Sequence, residues 1–283
     1  MRVSIIGAGI VGSATGIGFH QHGNEVVFCD IDSRKLSSLR KRGYKTTKSI
    51  EEAVELSDVS FVCIQTPVVK GRIILNWLKK ATEQIGEALH RQNRGFHVVA
   101  IRSTVLPTTT RTKLIPLLQK HSRLEPGIDF GTCMNPEFLR RSSSFEDFMN
   151  PKRIVIGELN KQSGDVLEKL YSFSKAPRFR TNLDAAEMIK FVSNLFLASK
   201  ISFFNEIYSI CRKNGLDPRF ISHVVSLDDR IGAYGINGGK AFEGCLSKDL
   251  ESFISFSKDK GLNPRLLSAV YRINKNLGLH DSI

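Results

Sequence analysis

A chain of 283 residues carrying 41 Lys and Arg against 28 Asp and Glu, a formal charge of +13, has the length for one large or two ordinary domains and the apolar content of a globular protein, which excludes a disordered chain. Five scattered cysteines, an odd number with no CxxC or Cys/His cluster, argue against a disulfide framework and a metal site and, with no signal peptide, for a reducing, cytoplasmic setting. The apolar start is far too short for a bilayer, and no basic run is interleaved with aromatics, so neither membrane nor nucleic acid is the expected partner; a basic surface equally suits a phosphorylated or nucleotide-bearing small molecule.

The chain opens as strand, glycine turn and helix. Arg2 to Ile6 is a short buried-strand pattern, Gly7-Ala8-Gly9-Ile10-Val11-Gly12 follows at once, and a helix runs to the stop signal His22-Gly23. Glu25 to Asp30, Val59 to Ile64, His97 to Ile101 and Arg153 to Ile156 read as further buried strands, with helical patterns at Ser49 to Leu56 and Ile74 to Leu89. Strands alternating with helices predict an α/β fold, a Rossmann-type doubly wound parallel sheet. Beyond Thr181 the alternation stops. One long helix is expected over Leu183 to Ile210, then shorter ones over Asp217 to Val225, Leu250 to Lys260 and Pro264 to Asn276, which together predict a separate all-helical domain.

The glycine fingerprint carries the first chemistry. Gly7 permits the tight turn, Gly9 admits a pyrophosphate to the backbone, and Gly12 lets helix and strand pack, while the helix start offers N–H groups and a positive dipole end. Asp30 ends the second strand, where a carboxylate accepts hydrogen bonds from an adenosine ribose and repels the extra phosphate of NADP. Lys35 is either a further cofactor contact or a solvated helix lysine. Thr66 and Thr104 sit in loops beyond strand ends, the place of ligands in open α/β sheets, and equally suit plain turns.

Glu137, in Asn135-Pro136-Glu137-Phe138-Leu139-Arg140, either positions water or merely opens a helix. Lys190 and Asn194 stand at i and i+4 on the long helix amid apolar neighbours. They either snorkel to solvent or line a polar cleft, where cation and amide would stabilise an oxyanion. Cys245 precedes Lys248 and Asp249 closely. A thiol is the best nucleophile near neutral pH; the competing reading is a small buried hydrophobe.

In their order along the chain these motifs, with Ser103-Thr104-Val105, Glu187, Asn205-Glu206 and Arg230-Ile231-Gly232, make the sequence resemble the UDP-glucose/GDP-mannose 6-dehydrogenase family, its UDP-glucose members above all, from Met1 to about Asn276. The resemblance implies two oxidations of a nucleotide-sugar C6 alcohol to the carboxylate, with NAD as cofactor. It implies Cys245 as covalent nucleophile, Lys190 and Asn194 as oxyanion donors, Asp249 or Glu137 as water activator, and Thr104 near cofactor and water. Val11, Thr66 and Lys248 join Gly7, Gly9, Gly12, Asp30 and Lys35 as implied cofactor contacts. The implied substrate contacts are Glu137, Phe138, Leu139, Arg140, Arg141, Lys190, Asn194, Arg230, Tyr234, Gly238 and Phe242. The expected layout is an NAD-binding domain over 1–180 and a helical, homodimerising domain over 181–283, built on the helix 183–210. The family's third, nucleotide-binding domain is expected to be absent or supplied by a separate chain.

The sequence departs from the family pattern at Lys240 to Glu243, a bulkier approach to Cys245, at Ser247, where Pro is common, at Arg141, where Glu is usual, and in the short segment between Gly43 and Ser49. These departures predict a divergent member with altered substrate or reduced activity. GDP-mannose is the alternative sugar, and a catalytically weak NAD-binding partner protein the alternative role.

Overall fold

The computed structural model describes residues 1–91 and 95–280; the last three residues of the expected helical domain lie outside the described ones. In chain order the elements are β1 (Arg2–Ile6), α1 (Ile10–Gln21), β2 (Glu25–Cys29), α2 (Ser33–Lys41), β3 (Lys45–Thr47), α3 (Ile50–Glu55), β4 (Val59–Val62), a hairpin of β5 (Val68–Val69) and β6 (Arg72–Ile73), α4 (Asn76–Arg91) and β7 (His97–Ile101). A π-helical turn, Thr110–Leu114, runs into α5 (Ile115–Ser122), followed by β8 (Phe130–Met134), α6 (Ser144–Met149), β9 (Ile154–Glu158), α7 (Lys161–Leu170) and β10 (Arg178–Asn182). The rest is helical: α8 (Leu183–Lys213), α9 (Pro218–Ser226), α10 (Cys245–Asp259) and α11 (Arg265–His280). The chain divides into two compact units, residues 1–66 with 74–190, and residues 67–73 with the chain from Phe191 onward.

In the first unit eight strands form one sheet in the order β10-β9-β8-β7-β4-β1-β2-β3. β1 starts two arms, toward β2 and β3 on one side and toward β4 and β7 on the other, all parallel. The strand order therefore reverses beside β1, the switch point beyond which open α/β sheets bind ligands. Adjacent strand residues serve opposite faces. Ile5 packs with Phe19, Phe28 and Phe61 on one side, and Ile6 with Leu78, Ile85 and Leu118 on the other.

The expected parallel sheet needs one correction: β8 pairs with β9 antiparallel. The connection holds a 3-10 turn, Arg141–Ser143, and α6, six residues and about 9 Å long. With no long crossover helix to carry the chain back along the sheet, β9 enters running backwards.

Polar groups inside the sheet satisfy one another. Ser57 Oγ donates to Ser4 Oγ at 3.0 Å, Ser4 and Ser60 share a 2.7 Å hydroxyl contact, and Ser60 Oγ lies 2.9 Å from His97 Nε2. Burial pushes the His97 imidazole down to about 4, so it is neutral in the folded chain.

The second unit contains α9, α10, α11, the hairpin and the C-terminal part of α8. α10 starts at Cys245, five residues before the expected Leu250. Gly244, at φ +67°, ends the preceding loop and lets the helix begin there. Two asparagines pin that loop. Asn274 donates to the Phe242 carbonyl at 2.9 Å and accepts the Phe242 N–H at 2.7 Å. Asn205 does the same for Lys240, at 3.1 and 3.3 Å.

Candidate active site

The glycine loop is built as its spacing demands. Gly7 has φ +101°, and a Cβ there would lie 2.6 Å from the Cys63 carbonyl oxygen. A Cβ on Gly12 would overlap the Gly7 carbonyl at 1.9 Å, whereas one on Gly9 would meet nothing within 4 Å. Gly7 and Gly12 are thus fixed by the protein's own packing, and Gly9 faces open space that a ligand can take. Gly7, Gly9 and Asp30 line a cavity of about 700 Å³ with Lys35, Ile64 and Gln65.

Asp30 ties the cavity's two sides together. Oδ2 accepts the Ala8 N–H at 2.7 Å and Oδ1 the Asp32 N–H at 2.8 Å, with Lys35 Nζ 3.3 Å from Oδ2. A carboxylate has about four lone-pair sites, so capacity remains for ribose hydroxyls. Glycine loop, carboxylate and cavity together fit the dinucleotide that the sequence implies. Val11, Gly12, Thr66 and Thr104 do not line this cavity. Thr66 donates its hydroxyl to the Thr104 carbonyl at 2.7 Å, which locks the loops after β4 and β7 to each other.

Glu137 and Lys190 form a buried ion pair. Lys190 Nζ donates to Glu137 Oε1 at 2.9 Å and to the Glu137 carbonyl at 2.7 Å, while Oε2 accepts the Leu139 N–H at 2.6 Å. Burial pushes the Glu137 carboxyl upward, but the Lys190 charge and hydrogen bond and the Leu139 N–H outweigh it and hold the group below the usual carboxylate range. Glu137 is therefore an anion at neutral pH, which a base requires. Phe138 lies under the Arg153 guanidinium at 3.9 Å, with Lys190 Nζ 5.6 Å from its ring centre. Leu139 is half-buried; Arg140 is exposed and paired with Asp147 at 2.6 Å; Arg141 is exposed.

Three buried groups that sequence reasoning left without a role support this pair. Arg102 Nη1 donates to Asn135 Oδ1 at 2.5 Å and lies 3.1 Å from Tyr171 Oη, and Tyr171 donates to the same Asn135 oxygen at 2.7 Å. They anchor the residue two before Glu137. Glu187, one turn before Lys190, accepts the Thr110 N–H at 2.8 Å, and burial pushes its carboxyl up to about 7. Glu187 stood in the family motif, so its spacing was a signal; Arg102 and Tyr171 carried none, being joined only by the fold.

In the second unit, Cys245 is exposed, whereas Cys29, Cys133 and Cys211 are buried and Cys63 half-buried. Burial pushes the Cys29 and Cys63 thiols up to about 12 and Cys133 further. The buried-hydrophobe reading thus fits the other cysteines and not this one. Asp249 stands one helical turn after Cys245 and is fully buried. Its Oδ2 accepts the Asn194 amide at 2.7 Å. Its Oδ1 has Lys248 Nζ at 3.0 Å as an ion pair, yet no hydrogen bond among the described residues, because the approach is poorly angled.

Lys248, expected at the cofactor, is thus engaged by Asp249 in the second unit. Arg230 is exposed and paired with Asp228 at 2.6 Å, and Tyr234 is exposed. Gly238, at φ +57°, packs against Tyr208, and Phe242 is buried behind the Asn274 clamp.

A dinucleotide cavity with a charged pair in one unit, and an exposed thiol beside an acceptor carboxylate in the other, are the equipment of an NAD-dependent oxidoreductase. Residues 1–45 and 37–174 match the NAD binding domain, and residues 184–276 the central domain, of the UDP-glucose/GDP-mannose dehydrogenase family. The chain belongs to that family, and NAD is the cofactor of its first domain. The chain is 36% identical to the GDP-mannose 6-dehydrogenase of Pseudomonas aeruginosa, over 98% of this chain and 69% of that one. It is 35% identical to the UDP-glucose 6-dehydrogenase TuaD of Bacillus subtilis, over 99% of this chain and 64% of that one. Among solved structures, a UDP-glucose dehydrogenase from Pyrobaculum islandicum is similar at 32% identity with a TM-score of 0.89, over 97% of this chain and 68% of that one.

Proposed function

We propose that the chain oxidises the C6 alcohol of a nucleotide sugar to the carboxylate, with UDP-glucose as substrate and Cys245 as covalent nucleophile. The observation that carries this is the exposed Cys245 opening α10 one turn before the buried Asp249, whose Oδ1 is short of a hydrogen bond. NAD, when bound, would supply a hydride acceptor for each oxidation, a separate molecule for each, and the C6 hydroxyl proton of the first would leave to water. Between the two oxidations the C6 aldehyde is trapped: the thiol of Cys245 gives its proton to water, the sulfur bonds to C6, and the former carbonyl oxygen carries the negative charge of the thiohemiacetal. The Lys190 ammonium and the Asn194 amide are the donors assigned to that oxygen. The second hydride loss leaves a thioester. Water then adds to C6, gives a proton to Asp249 or Glu137, and displaces the cysteine sulfur.

Capture on sulfur keeps the aldehyde from escaping before the second oxidation. GDP-mannose remains the second reading because relatives named for either sugar lie at nearly equal identity. The assembly assigned is a homodimer through α8, supported by the exposed apolar stripe Val192, Phe196, Phe203 and Ile210 along its outer face.

Stoichiometry tests the reading. Two NADH per UDP-glucose consumed, with Cys245→Ser releasing at most one and no acid, is the expected result. Two NADH only with GDP-mannose would reassign the sugar. No NADH with either, despite NAD binding, would leave a cofactor-binding partner protein.

A further inference from the structure

The second unit holds another cleft, of about 310 Å³, where the β5–β6 hairpin meets α10 and α11. Its walls follow from helical spacing. Glu251, Ser255 and Lys258 stand at i, i+4 and i+7 on α10 and share one face, and Tyr271 and Arg272 come from α11. The hairpin contributes Lys70. Lys70 and Gly71 have φ of 49° and 73°, the two positive values that a tight two-residue hairpin turn needs. Gly71 suits the turn, since its φ is positive and a Cβ there would lie 2.3 Å from Ser255 Oγ, which would have to rotate away. At Lys70 an Asn or Gly would sit in the left-handed backbone with less strain. A lysine is tolerated there, and it places an ammonium on the wall of the cleft.

Among the described residues, the charged and hydroxyl side chains of this cleft make no ion pair or side-chain hydrogen bond. Lys70, Lys258 and Arg272 form no ion pair among the described residues, whereas Arg72 on the same hairpin is paired with Asp259 at 3.2 Å. The hydroxyls of Ser255 and Tyr271 and the carboxylate of Glu251 likewise make no side-chain hydrogen bond among the described residues.

We propose that this cleft binds a small phosphate ester bearing free hydroxyls, of the sugar-phosphate class. Three cations against one carboxylate leave two positive charges, which match a phosphate dianion, and Lys and Arg donors bind such oxygens through charge-assisted hydrogen bonds. Glu251 accepts hydrogen bonds only, so it repels a bare anion and favours one that brings hydroxyls. The volume lies at the bottom of the range for ligand sites, roughly 300–1,000 Å³, which admits a sugar phosphate and excludes a dinucleotide. None of the groups used here belongs to the site above, so the two readings stand or fall separately.

Calorimetric titration of the NAD-saturated chain with glucose 1-phosphate tests the proposal, with inorganic phosphate and glucose as separate probes. Saturable binding of the ester is expected, weakened roughly tenfold or more in Lys258→Ala/Arg272→Ala through loss of two charge-assisted contacts. The melting temperature and NAD affinity of that variant should stay unchanged. Glu251→Gln should weaken the ester several-fold and leave inorganic phosphate bound no more weakly than before. Wild-type binding of the ester by the double variant would put the ligand elsewhere and end the proposal, as would no saturable binding at millimolar ester. Inorganic phosphate bound as tightly as the ester would overturn the hydroxyl requirement.

Discussion

Asp30 shows how one side chain can brace a loop and line a cavity at once. Its carboxylate closes the glycine loop through Ala8 and faces the dinucleotide cavity. Asp30→Ala should therefore weaken NAD binding by roughly tenfold or more, losing both ribose acceptors and the loop's anchor. Asp30→Asn keeps one acceptor oxygen and should fall between, which a fluorescence titration of NAD will resolve. Gly7, Gly12 and Asp30 were legible in the sequence because their spacing is local and each has a single geometric reason. The Arg102–Asn135–Tyr171 anchor was not, because its members are 33 to 69 residues apart and meet only once β7, β8 and α7 are in place.

At the scale of elements, the long buried strands and α8 could be read from periodicity. β10, with the exposed Arg178 and the ion-paired Arg180, and the two-residue strands β5 and β6 could not: the first is a charged edge and the others are too short for any pattern. β8 is fully buried but carries Gly131, which obscures its strand character.

The elements also set an unusual acid response. His97 on β7 is depressed to about 4 from an ordinary 6.5, so the unfolded chain binds its proton first and stability falls as pH drops from 6.5 toward 4. Glu187 on α8 is raised to about 7 from an ordinary 4.5, so the folded chain binds its proton first and stability falls as pH rises from 4.5 toward 7. Each alone gives up to about 1.4 kcal/mol per pH unit, with opposite sign. Between 4.5 and 6.5 the two offset, and the unfolding free energy should be nearly flat. Glu187→Gln should expose the histidine slope, with stability rising by about 1 kcal/mol per pH unit across that window in urea titrations. An equally flat profile in that variant would show that His97 does not titrate as its burial demands.

For the whole molecule, the net charge of +13 and the exposed apolar side chains of α8 bear on association. Val192, Phe196, Phe203 and Ile210 repeat at 4, 11 and 18 residues, which brings them to one side of the helix. Light scattering at micromolar concentration should give twice the chain mass, and Phe196→Glu/Phe203→Glu should give the single mass, since buried unpaired charge opposes association. A wild-type monomer under those conditions would remove the assembly from the proposal.

The clamp of Asn274 on Phe242 sets an order of events during synthesis. The first unit can close once Lys190 has emerged, with its dinucleotide cavity complete, whereas the loop leading into Cys245 stays unpinned until α11 follows. At ~5–20 residues per second the stretch from Cys245 to Asn274 takes a few seconds, in which the cysteine is already translated but its loop not yet held. The cavity of the first unit is thus complete before the Cys245 loop of the second is set in place, and a ribosome that stalls before Asn274 leaves the one finished and the other unfinished.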